Sequence, residues 1–108
     1  MSRGTDLLRQ LILLRHDPGL AAALREEAMK GDHDAQYGLG LVYAEGRGVE
    51  QDGVEAYSWL SVAALDGDPD AEALREVVML DLESTEIRRA LDRAADYITQ
   101  IDRERLRH

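Results

Sequence analysis

Three histidines, His16, His33 and His108, are the first side chains to test for chemistry. They fall in a loop, at a helix start and at the chain end. No His-x-x-x-His or Glu-x-x-His spacing occurs, which argues against a transition-metal site. Cysteine is absent, so thiol nucleophiles, disulfides and Cys-based metal sites are excluded. Ser58, Ser61 and Ser84 have no His–Asp partners that spacing reveals. Gly46-Arg47-Gly48 is an isolated fragment of a phosphate loop, and it joins two helical segments instead of following a strand. The string Asp66-Gly67-Asp68-Pro69-Asp70-Ala71-Glu72 has the carboxylate density of half a calcium loop. Counted from Asp66, the positions that need Gly and Glu hold Ala71 and Val77. Asp68 reads better as a helix cap, with Asp70 and Glu72 at the positive end of that helix. Adjacent carboxylates such as Glu26-Glu27 lie at surface-like helix positions, whereas an acid–base pair needs one member in an apolar pocket. These residues point away from an enzyme, and no metal or cofactor is expected.

The elements carrying these residues are helical. Ala and Leu dominate, there is no Phe, and the two prolines both follow an Asp, as at a helix start. A repeat is present: Ala28, Gly31, Asp32, Asp34 and Ala35 recur as Ala64, Gly67, Asp68, Asp70 and Ala71. The offset of 36 residues is the length of one helix–turn–helix unit. Asp32 caps a helix expected over 33–44, with Ala35, Leu39, Val42 and Tyr43 on one face. Gly46 is placed for a left-handed C-terminal cap. Asp52 and Glu55 form a capping-box pattern for a helix to about Asp66, with Ala56, Trp59, Leu60, Ala63 and Ala64 inward. Asp68 and Pro69 open the next helix, expected to end near Asp81. Ser84 or Thr85 caps a last helix over 86–104, with Ile87, Leu91, Ala94, Ala95, Ile98 and Ile101 inward. Upstream, Thr5 or Asp6 opens a helix to about Arg15, and Asp17-Pro18 opens another to about Lys30.

The expected fold class is therefore all-α: six helices in three antiparallel pairs, a short right-handed α/α solenoid. One domain of 108 residues divides into an N-terminal capping pair (1–31), a central repeat (32–67) and a C-terminal repeat or cap (68–108).

Residues 28–71 resemble a Sel1-like repeat, a relative of the tetratricopeptide repeat. The matching residues are Ala35, Leu39-Gly40, Tyr43, Gly46-x-Gly48-Val49, Asp52, Ala56, Trp59, Ala63-Ala64, Gly67 and Ala71. The flanks depart from the pattern. The positions corresponding to Leu39, Gly40 and Tyr43 hold Arg75, Glu76 and Met79. Gly40 and the alanines permit close helix approach, and Trp59 and Tyr43 fill gaps between helices. The resemblance implies a protein–protein interaction module, an adaptor or scaffold, in which the first helix of each pair lines a concave side. On this chain that side comprises Asp34, Tyr37, Leu41 and Glu45, followed one repeat later by Asp70, Ala73, Val77 and Asp81.

Such an apolar strip rimmed by carboxylates suits an amphipathic helix or extended peptide carrying Lys or Arg. The alternative occupants are the chain's own N-terminal helix, rich in Leu7, Leu8, Leu11, Ile12, Leu13 and Leu14, or a second copy in a homodimer. A rival function is a small inhibitor or immunity-type protein covering one cognate basic partner.

Net charge is −9. Residues 1–83 carry 7 Lys/Arg against 17 Asp/Glu, and residues 84–108 carry 6 against 5. That surface disfavours nucleic acid, whose phosphates demand cations. Arg88, Arg89, Arg93, Arg103, Arg105 and Arg107 recur along the last helix, as a solvated ion-paired face or as an arginine tail gripping an acidic neighbour. No apolar run is long enough to span a bilayer, and no cleavage site follows residues 7–14 at a fitting distance, so a cytoplasmic protein is expected.

Overall fold

A computed structural model describes residues 18–107. The expected helix ending near Arg15, and His16 and His108, lie outside them. Five α-helices follow one another: α1 (Pro18–Met29), α2 (His33–Glu45), α3 (Gly53–Ala63), α4 (Pro69–Met79) and α5 (Ser84–Arg107). A 3-10 turn, Ala64–Asp66, extends α3, and no strand occurs among the described residues.

The caps are those the sequence specifies. Asp32 Oδ1 accepts from the Ala35 N–H at 3.0 Å, and Asp52 Oδ1 accepts from the Glu55 N–H at 3.0 Å. Asp68 Oδ1 accepts from the Asp70 and Ala71 N–H groups at 2.9 and 3.4 Å, with Pro69 in the first turn. Each satisfies donors that the first helical turn leaves without a partner. Gly46 ends α2 at φ 69° and Gly67 ends the 3-10 turn at φ 82°, left-handed conformations in which a Cβ is strained. The reciprocal half of the expected capping box at Asp52 is not formed. The Asp52 N–H donates to Tyr43 O at 3.0 Å, and the Glu55 carboxylate turns toward α5.

The third helix is the centre of the fold, packing against α2, α4 and α5. From Val54 to Ala63 every residue except Glu55 is buried, as expected of a helix surrounded by neighbours. Trp59 and Leu60 of α3 and Leu39 and Val42 of α2 are the largest fully enclosed side chains among the described residues. Where α2 crosses α3, a Cβ on Gly40 would lie 2.7 Å from Leu60 Cγ and Cδ2. Only hydrogen at that position allows the two backbones this separation. Ser58, fully buried, donates its hydroxyl toward Val54 O at 2.7 Å and Ala90 O at 3.0 Å, joining α3 to α5.

The last two helices do not clasp each other as the expected third pair. Each packs on α3 separately, and α5 continues across to α1. The residues explain this. On α4 only Ala71 is buried, because Arg75 stands where α2 has Leu39. The fifth helix carries a continuous apolar stripe in Ile87, Ala90, Ala94, Tyr97, Ile98 and Ile101, and α3 offers the larger apolar surface to cover it. This stripe is rotated from the expected one. Leu91 is 43% exposed and Ala95 is exposed, while Ala90 and Tyr97 turn inward against Tyr57 and Trp59. The helix also runs longer than the expected 86–104, starting at Ser84, with Glu86 Oε1 accepting from the Glu83 N–H at 3.0 Å.

Candidate functional site

The α2 side of the expected strip repeats at i, i+3, i+7 and i+11, opposite the face that enters the core through Ala35, Leu39 and Val42. Tyr37 is half-buried and packs on Ala63, Ala64 and Ala71, so its ring bridges α2 to the start of α4. Burial first, then the nearby carboxylates of Asp70, Asp68 and Glu45, raise its phenol above the ordinary tyrosine range. Leu41 is half-buried and also packs against the main core. Asp34 is half-buried.

On α4, Asp70, Ala73 and Val77 are exposed, Val77 to 60%. Two expected members stand differently. Glu45 is engaged by Arg47, whose Nε donates to its Oε2 at 2.6 Å, so one carboxylate of the rim is neutralised within the chain. Asp81 lies in the turn after α4, which ends at Met79, and helical spacing no longer fixes its direction. The carboxylates of the acidic string also have separate duties: Asp66 Oδ2 pairs with His33 Nε2 at 2.5 Å, and Asp68 caps α4.

A second cluster has no signature in the sequence. Arg25 of α1 lies 5.7 Å from the Trp59 ring centre and 5.8 Å from that of Tyr97, and its Nη2 donates to Tyr43 Oη at 3.3 Å. Trp59 and Tyr97 stack with centroids 4.2 Å apart, worth ~0.5–1.5 kcal/mol beyond the area buried. Glu55, whose side chain is 12% exposed, sits 3.7 Å from Arg25 and 3.4 Å from Arg93, and accepts a hydrogen bond from the Tyr97 hydroxyl. Burial, then that hydrogen bond, push the Tyr97 phenol up to about 12. The cluster contains two cations, one carboxylate and stacked rings. It ties α1, α3 and α5 together. The contributions of α1, α3 and α5 (Arg25; Glu55 and Trp59; Arg93 and Tyr97) lie 30 or more positions apart, so only the fold brings them together.

The α2–α3 pair is joined by a Gly-containing turn and packed through Gly40 and the alanines, the construction of one helical-repeat unit. The central pair is of a recognised kind: residues 33–68 match the family model of the Sel1 repeat, a third of the chain. This is the unit that Leu39-Gly40, Gly46, Trp59 and Gly67 suggest. Sel1 repeats are generally protein-interaction modules. No curated protein and no solved structure matches the chain. Among the described residues, no helix is long and apolar enough to cross a membrane.

Proposed function

We propose that the chain is an adaptor or scaffold module, a short α/α solenoid that binds a protein or peptide through the strip formed by α2 and α4. The observation that carries this reading is the seat of Tyr37, an apolar ring packed on Ala63, Ala64 and Ala71 where α2 meets the start of α4, with Asp70 exposed in the first turn of α4. Val77 and Ala73 continue the apolar surface in the open. With Glu45 neutralised by Arg47, the acidic rim is concentrated on the α4 side. A partner segment therefore lays its apolar residues toward Tyr37 and Val77 and its Lys or Arg toward Asp70. Charge on the remaining surface disfavours nucleic acid, and the same acidity suits work in the cytoplasm among basic protein segments.

The test is a pull-down from the native cell with the wild-type chain, Val77→Glu and Leu41→Glu. Circular dichroism first establishes that each variant is folded. Val77 is the cleaner position because it is exposed. The expected result is that folded Val77→Glu loses the partners that wild type retains. Full retention of every partner by both folded variants overturns the strip.

A further inference from the structure

The last turn of α5 carries the chemistry that the strip would recognise. Leu106 is 88% exposed, the most exposed large apolar side chain among the described residues, and stands among Arg103, Arg105 and Arg107. The two flanking arginines differ in their engagement. Arg107 lies 3.6 Å from Glu104, whereas Arg103 makes no ion pair with a carboxylate among the described residues. Arg105 is exposed but lays its guanidinium beside Gly31, in the space where a Cβ would stand. The turn therefore presents a leucine with a cation one helical turn before it. Across the molecule, α4 presents Val77 at 60% exposure with Ala73 and Asp70 beside it. The chain thus displays both an acidic apolar acceptor and a basic apolar donor.

We infer that the occupant of the strip is a second copy of this chain, docking the Leu106 turn of its α5 against Val77 and Ala73, with Arg103 directed to Asp70. The inference rests on the strip reading and names its partner. Charge complementarity favours it over a neutral occupant, because residues 1–83 hold 17 acidic against 7 basic groups while residues 84–108 hold 6 basic against 5 acidic, with Arg103 outside any ion pair among the described residues. The contact joins unlike surfaces, so a variant damaged in one surface keeps the other intact.

Analytical ultracentrifugation over a broad concentration range reads this directly. Wild type is expected to self-associate, and to do so less in high salt, which screens exposed charge pairs. Leu106→Glu lacks the donor and Val77→Glu lacks the acceptor. Both residues are exposed, so the fold should persist, and circular dichroism checks it. Each variant alone should associate about tenfold more weakly or worse. An equimolar mixture of the two should regain association as a one-to-one complex, since each supplies the surface the other lacks. A monomeric wild type at every concentration overturns the inference, as does wild-type-like association of either variant or a mixture that regains nothing. A monomeric wild type whose pull-down partners are still lost in Val77→Glu leaves the strip standing with a foreign occupant. Partners retained by that variant remove the strip itself.

Discussion

Gly40→Ala is the smallest change that tests how the two helices of the repeat are held together. The added Cβ would lie 2.7 Å from both Leu60 Cγ and Leu60 Cδ2, and 3.4 Å from Ala56 O. Carbon atoms begin to repel below ~3.5 Å, so the methyl sits about 0.8 Å too close. Leu60 is fully buried and has no open side into which to turn, so the strain passes to the α2–α3 spacing. Overpacking of this kind costs ~1–3 kcal/mol. Alanine recovers ~1 kcal/mol of helix propensity relative to glycine. The net expectation is a loss of about 1 kcal/mol, seen as a fall in melting temperature of ~4–8 °C. Calorimetry on the purified chain measures it. Gly67→Ala separates packing from backbone strain: its Cβ meets nothing within 4 Å, and only the left-handed φ of 82° opposes it, at ~1–2 kcal/mol. If Gly40→Ala melts at or above wild type, the close approach at Leu60 is not what the glycine serves.

Two further outcomes concern the Arg25–Glu55–Tyr97 cluster. Glu55→Gln removes the charge shared by Arg25 and Arg93 and is expected to cost ~1–2 kcal/mol in denaturant unfolding, solvent screening of the two partly exposed arginines keeping it modest. An unchanged midpoint would mean the carboxylate contributes nothing to joining α3 with α5. The Tyr97 phenol, raised from 10.0 to about 12, holds its proton in the folded chain where the unfolded chain has released it. That stabilisation is complete below pH 10 and is lost as pH rises from 10 to about 12, so the melting temperature should fall across this window. Tyr97→Phe should flatten part of the fall, and parallel curves for the two proteins would refute the assignment.

Local signals in the sequence were enough to define the helices, because Asp32, Asp52, Asp68, Gly46 and Gly67 each act within a few residues of themselves. The burial of Trp59, Leu39 and Ala63 was legible for the same reason: a fixed period of apolar residues points at a neighbour. The period does not say which neighbour. The expected pairing of α5 with α4 gave way to α5 lying along α3, because α3 offers the larger apolar surface and Arg75 weakens α4. The stripe on α5 was misread at Leu91 and Ala95 because alanine and leucine occupy both sides of that helix, and its rotation follows tertiary contacts such as Tyr97 stacked on Trp59 and the Ser58 hydroxyl on Ala90 O. Of the expected strip, helical spacing named Asp34, Tyr37 and Leu41 on α2 and Asp70, Ala73 and Val77 on α4. The neutralisation of Glu45 by Arg47 and the departure of Asp81 from the helix were not legible, since both depend on how a turn closes. Glu55 was read only as a capping residue, and its bond to Tyr97 spans 42 positions.

The most direct measurement is site-specific photo-crosslinking in the native cell, with the reactive group placed at Val77 on the strip and, separately, at Leu91 on α5, an exposed apolar position outside it. Adducts with a defined set of proteins, a second copy of the chain included, are expected from position 77 and not from position 91. Adducts from position 91 with none from position 77 would contradict the binding strip.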